Sequence, residues 1–218
     1  MGDFFRVFSD NQSTFVEGFL TTIKLFALAG VGCLVVGTLL AAMRVSPIPA
    51  LRIFGTVYVN TIRNTPLTLV FAFLVFGVPK LNVNVSFFTF AIIALLAYTS
   101  AFVCEVVRSG INTVPVGQGE AARAIGMTFI QILGLIVLPQ AFRSTVPPLI
   151  SILNALLKNT TVAAGFSVVQ AGSIPAILSE KGEPQTPVLL WITFCFLVLV
   201  LPLVVAQRSL ERHWGDNR

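Results

Sequence analysis

The sequence predicts an all-α polytopic membrane protein of about five transmembrane helices, in a single domain over residues 1–218. Three observations predict it. Apolar residues make up 56% of the chain and charged residues only 11%, where a soluble domain carries about a quarter charged residues. The mean hydropathy is +0.90. Apolar runs long enough to cross or nearly cross a bilayer alternate with short polar, Pro- and Arg-containing connections, the pattern of successive membrane helices.

The same composition excludes several functions. A net charge of +5 suits a nucleic-acid binder, but here the basic residues flank apolar spans and follow membrane topology. Cys33, Cys104 and Cys195 lie far apart in apolar runs and read as small buried hydrophobes, with no disulfide expected. The single histidine, His213, sits in a charged tail, which argues against a His-based metal site. No G-x-x-x-x-G-K-[ST] loop is present. The chain therefore reads as having no ATP-hydrolysing site of its own, and neither enzymatic activity nor a cofactor is expected of it.

Residues 1–14 are polar and mildly acidic, with Asp3, Arg6 and Asp10, and lack the basic region and cleavage site of a signal peptide. The first span, Phe15 to about Met43, is thus expected to stay in the membrane. Along it Ala29, Cys33, Gly37 and Ala41 recur every four residues, a stripe where another helix can approach closely. Arg44, Pro47, Pro49 and Arg52 mark a connection. An amphipathic segment, Ile53 to Ile62, ends at Arg63-Asn64-Thr65-Pro66, where proline disfavours helix for the residue before it. The second span covers about Leu67 to Val78, with residues 79–86 as a loop. The third runs from about Phe87 to Val107 and carries Tyr98, Thr99, Ser100 and Glu105. Pro147-Pro148, with Ser144 or Thr145 as cap, suit the start of the fourth. Lys158-Asn159-Thr160-Thr161 interrupt this fourth span, roughly 16 Å of helix beyond Pro147. Residues 171–186 read as a polar loop, and the fifth span as about Pro187 to Ala206, with Trp191 as an interfacial anchor.

Between the third and fourth spans, Asn112 to Pro139 is polar at its start and broken by glycine. Pro115 suits a first helical position, since its missing N–H has no intrahelical partner there. Gly126 sits where a helix would stop, and glycine takes the left-handed conformation without a Cβ clash. Thr128 and Gln131 have the spacing of a capping box for a second short helix, which Pro139 would end or kink. The expectation is a compact helix–turn–helix elbow.

Orientation follows from the basic residues. Arg44, Arg52, Arg63, Arg108, Arg123, Arg143, Arg208, Arg212 and Arg218 fall on one side of a five-span arrangement; Arg6, Lys80 and Lys181 fall on the other. That puts the elbow and the C-terminus in the cytoplasm and the N-terminus outside.

The elbow resembles a known signature. Glu120-Ala121-Ala122, three residues, Gly126, nine residues, then Ile136-x-Leu138-Pro139 is similar to the EAA motif of type I ABC importer permeases. Arg63-Asn64-Thr65-Pro66-Leu67 and Glu105-x-x-Arg108-x-Gly110-Ile111-Asn112 resemble elements of the polar amino acid uptake branch, although that branch has fewer residues between tyrosine and glutamate than separate Tyr98 from Glu105. Met43-Arg44-Val45-Ser46-Pro47 and Lys158-Asn159-Thr160-Thr161 look most like its glutamate permeases. The resemblance spans nearly the whole chain.

The resemblance implies a bacterial inner-membrane permease that forms half of a translocation path. It implies three kinds of partner: an ATP-binding cassette ATPase dimer, a second homologous permease subunit and an extracytoplasmic substrate-binding protein. It further implies that Glu120, Ala121, Ala122, Arg123 and Gly126 form the coupling loop that docks in a groove of the ATPase, with Glu120 pairing an ATPase arginine. Arg123, three residues on, is alternatively a local partner for Glu120. An ionisable group deep in a span is expensive and should face a cavity or a partner. Lys158, with Asn159, Thr160 and Thr161, is therefore expected either to line the substrate path and attract a carboxylate or to make a structural or gating contact. Other readings are an ion-gradient-driven secondary transporter or channel subunit, and a non-transporting assembly subunit.

Overall fold

In a computed structural model of the chain, residues 2–46 and 48–215 are described; Pro47, Arg218 and the side chains of Asp3 and His213 lie outside this description. All regular structure among the described residues is helical. Helix α1 spans Gly2–Asp10, α2 Gln12–Val45, α3 Pro49–Arg63, α4 Leu67–Ala72 and α5 Phe87–Asn112. Next come α6, Val116–Ala124, and α7, Phe129–Ile132; then α8, Leu138–Asn159, α9, Ile174–Glu180, and α10, Gln185–Gly215. Among the described residues, four segments are long and apolar enough to cross a membrane by themselves: Gln12–Val45, Phe87–Asn112, Ile130–Phe166 and Gln185–Arg212. A fifth is a broken span, Pro49–Arg63 plus Leu67–Leu81, bent by 106°. The expected break at Asn64–Pro66 is thus present, and it is sharp.

Helices α2 and α5 form the spine. The predicted small-residue stripe is the contact: Ala29, Cys33, Gly37 and Ala41 are all buried. At Gly37 a Cβ would lie 2.5 Å from the Val103 side chain and 2.9 Å from the Ser100 carbonyl oxygen, so the backbones approach as closely as glycine permits. Leu25, Leu95, Phe71, Val103 and Leu156 fill the core where α2, α4, α5 and α8 meet. Helix α10 is peripheral, with only 6% of its most apolar window buried.

The structure adds to the sequence reading at the N-terminus and corrects it at residues 171–186 and in the fourth span. The N-terminal stretch is a helix, and its aromatic face folds back: Phe4 and Phe8 stack on Trp191 at 4.6 Å and 4.4 Å between ring centroids. Trp191 Nε1 donates to the Phe4 carbonyl at 2.7 Å, so this tryptophan joins α1 to α10. Residues 171–186 are not a loop. They contain α9, whose Ile174 and Leu178 are fully buried against Val7, Phe15 and Val188.

Pro139 does not end the helical segment: it lies in the first turn of α8, directly after a π-helical turn, Leu133–Val137. The fourth span therefore begins well before Pro147-Pro148, which lie inside it. Ser144 and Thr145 are not caps: their hydroxyls donate to the Ala141 carbonyl at 2.9 and 2.5 Å, the back-bonding that accompanies proline within membrane helices.

Candidate functional site

The elbow has the turn chemistry its sequence dictates, with one shift. Pro115 is extended (φ −60°, ψ 134°) and precedes α6, which starts at Val116. Gly126 adopts φ +83° with nothing within 4 Å of where a Cβ would sit, so glycine is needed there for its dihedral freedom and not for space. The Gly126 N–H donates to Arg123 O at 2.9 Å and the Met127 N–H to Ala122 O at 3.0 Å, closing the end of α6 in Schellman fashion. The capping box is present: Thr128 N–H donates to Gln131 Oε1 at 2.8 Å, and Gln131 N–H to Thr128 Oγ1 at 3.4 Å. Helix α7 is a single turn that passes through a π-helical turn, Leu133–Val137, directly into α8.

A tight stalk holds the elbow. Gly110 on α5 lies against Thr145 and 3.1 Å, measured from a built Cβ, from the Ala141 carbonyl oxygen on α8. Thr113 and Ser144 hydroxyls meet at 3.1 Å, and Gln140 Nε2 donates to Gln118 Oε1 at 2.6 Å. The α6 end of the elbow is thus tied to both flanking spans.

Of the five predicted coupling residues, Ala122 is buried at 3% exposure. Glu120, Ala121, Arg123 and Gly126 are exposed. Among the described residues no ion pair involves Glu120, so the local Glu120–Arg123 alternative is not formed. Beside them stand large exposed apolar side chains, Val116, Ile125 and Ile130, each 79% exposed. Glu120, Arg123, Pro115, Val116 and Ile132 line a groove of about 250 Å³ on this face. An uncompensated carboxylate, a free guanidinium and bare apolar side chains together make a surface suited to a protein partner.

The second predicted group is placed differently. Lys158 lies 20 residues past the start of α8 at Leu138, roughly 30 Å along it, because the helix begins well before Pro147. It is exposed, on the last turn of α8. Thr160 begins a 3-10 stretch, Thr160–Phe166, and is buried with its hydroxyl on Leu157 O at 2.6 Å. Thr161 Oγ1 donates to Lys158 O at 2.7 Å, and Asn159 is half-buried.

This irregular stretch is fixed by Gln170, which is fully buried. Its Nε2 donates to Thr161 O at 3.1 Å, and its Oε1 accepts from Gly172 N–H at 2.7 Å and lies 3.2 Å from the Thr22 hydroxyl on α2. Sequence reasoning missed Gln170, whose only local signal was a polar residue in an apolar stretch.

It also missed a charge cluster. Glu105 on α5 receives Arg44 from α2 on Oε1, Arg63 from α3 on Oε1 at 3.3 Å, and Arg108 on Oε2 at 3.1 Å. The available signal is that all three arginines fall on the side on which α5 ends.

Comparison with known proteins bears on the family and the fold. Residues 33–216 match the family described as "binding-protein-dependent transport system inner membrane component". The chain is 39% identical over 215 residues to the glutamate transport system permease protein GluC of Corynebacterium efficiens, covering 90% of this chain and 92% of that one. It is 35% identical over 206 residues to the probable glutamine ABC transporter permease protein GlnM of Bacillus subtilis, covering 93% and 94%. Among solved structures, a crystal structure of an amino acid ABC transporter with histidines superposes with a TM-score of 0.89 at 26% identity, over 96% of this chain and 98% of that one.

Proposed function

The chain belongs to the family of binding-protein-dependent transport system inner membrane components and is an amino acid ABC transporter permease subunit; from that premise we propose that it imports glutamate and takes its driving force through the elbow. Glutamate is favoured because permeases for glutamate stand among its similar relatives. The single observation that carries the coupling role is the exposed, unpaired Glu120 set among exposed Val116, Ile125 and Ile130. A carboxylate left unpaired on a surface of this kind is suited to an arginine supplied by an ATPase subunit. With ATP hydrolysed by that partner, this chain contributes one half of the path. A second permease subunit contributes the other half, and an extracytoplasmic binding protein delivers the substrate. The arginine-rich ends of the spans favour a cytoplasmic elbow and C-terminus.

In this reading Lys158, Asn159, Thr160 and Thr161 belong to the path. The exposed ammonium of Lys158, at the point where α8 gives way to a 3-10 stretch, attracts a substrate carboxylate. Irregular backbone at membrane depth is the arrangement transporters use around a substrate.

The test is to co-purify the chain with its ATPase, partner permease and binding protein, and to measure ATP turnover against a panel of amino acids. Glutamate is expected to stimulate turnover most. Stimulation only by an unrelated amino acid would overturn the substrate, and transport driven by a proton or sodium gradient without an ATPase would overturn the mechanism.

A further inference from the structure

One carboxylate, on Glu105, draws together three helices at the root of the elbow. Arg44 stands in the last turn of α2, Arg63 is the last residue of α3, and Arg108 lies one turn further along α5. Oε1 takes Arg44 and Arg63, and Oε2 takes Arg108. The ends of α2 and α3 therefore share one oxygen of a residue on α5. Arg63 also sits over the Phe102 ring, 5.6 Å from its centroid.

Two further features hold α3 in this position. The Tyr58 hydroxyl donates to the Ala97 carbonyl on α5 at 2.9 Å. Gly55 lies against the Arg44 stem, where a Cβ would come within 2.8 Å of Cγ. The residue after Arg63 opens the 106° break of the Pro49–Arg63 and Leu67–Leu81 pair. Seven residues after Glu105, α5 ends at Asn112 and the chain enters the elbow. The carboxylate thus lies between the elbow and the hinge of the broken span.

We infer that Glu105 is a positioning residue of the transport cycle: its carboxylate locks the ends of α2 and α3 to α5, so that a displacement of the elbow reaches the hinge at Asn64–Pro66. The inference rests on the coupling role proposed for the elbow. Side-chain exposures of 10% for Arg44, 22% for Glu105, 36% for Arg108 and 42% for Arg63 put Arg63 at the wet edge of the cluster, where an ion pair adds little to stability. The effect of removing Arg63 is therefore expected in the coupling and not in the fold. Without the carboxylate, three guanidiniums remain side by side with no counter-charge, and the end of α3 is released.

The experiment uses the whole complex reconstituted in lipid, with the ratio of ATP turnover with glutamate-loaded binding protein to basal turnover as the readout. Glu105→Gln and Arg63→Gln are each expected to lower this ratio by about fivefold or more, with basal turnover and subunit assembly retained. The double variant is expected to be no worse than Glu105→Gln alone, since both remove the same tie. Glu105→Asp, which keeps the charge, is expected to recover part of the ratio. If Glu105→Gln fails to assemble, Arg63→Gln carries the test, because it leaves Glu105 with Arg44 and Arg108.

An unchanged ratio in the assembled Arg63→Gln complex overturns the inference. Glu120→Lys separates the two readings. If it uncouples the complex while Arg63→Gln and Glu105→Gln do not, only the clamp is refuted; if it leaves assembly and coupling intact, the elbow reading fails and the clamp with it.

Discussion

Replacing Gln170 tests how the irregular stretch beyond α8 is held. The side chain is fully buried and serves three partners on two segments, Thr161 O, Gly172 N–H and the Thr22 hydroxyl. Gln170→Met keeps most of the volume and removes the amide. The Thr22 hydroxyl still has Gly18 O at 3.0 Å, so two backbone groups, Thr161 C=O and Gly172 N–H, are left without this partner. An unsatisfied buried group costs about 1–3 kcal/mol, although hydrogen bonds between membrane helices average nearer to about 0.6 kcal/mol. Thr161 and Gly172 are half-buried and held in a tight turn, which favours about 2–4 kcal/mol for the pair. For a chain of this size that corresponds to a fall in Tm of roughly 5–12 °C. Gln170→Ala adds a cavity and is expected to fall further. The assay is thermal unfolding of the purified complex in lipid nanodiscs, followed by tryptophan fluorescence and by size-exclusion recovery, at one scan rate because unfolding is irreversible in many such proteins. A Tm for Gln170→Met within about 2 °C of the parent, the range of a neutral surface change, would refute the claim that this amide holds the stretch next to Lys158.

Gly110→Ala is expected to force α5 and α8 apart at the stalk of the elbow and cost about 1–3 kcal/mol by overpacking, read as a lowered Tm. Thr145→Ala in the same chain is expected to recover part of the loss, because Thr145 is the nearest obstacle. Gly126→Ala meets open space and is expected to cost only the left-handed backbone, about 1–2 kcal/mol, with Gly126→Asn milder; an equal loss for alanine and asparagine would contradict this. Lys158→Met, at an exposed position, is expected to leave Tm unchanged and to weaken glutamate-stimulated ATP turnover, and unchanged stimulation would remove Lys158 from the path.

What the sequence determined by itself was whatever depends on a few neighbouring residues. Apolar runs are long or short without reference to the rest of the chain, so the spans were legible. The break at Asn64–Pro66, the left-handed Gly126 and the Thr128–Gln131 box follow from φ/ψ restrictions and side-chain reach within four residues. The stripe of Ala29, Cys33, Gly37 and Ala41 was legible as a contact face, though not the identity of its partner, α5. Pro147-Pro148 were misplaced because proline is compatible with a helix start and, in a membrane, with a helix interior. Tertiary structure alone decided that Glu105 would gather Arg44 and Arg63, 61 and 42 residues away. It also decided that Gln170 would meet Thr22, 148 residues away, and that α1 would fold its aromatics onto Trp191. The physical reason is that a half-buried charge or a buried amide is stabilised only beside its partner. That partner is supplied by how the helices pack, which no local pattern of residues encodes.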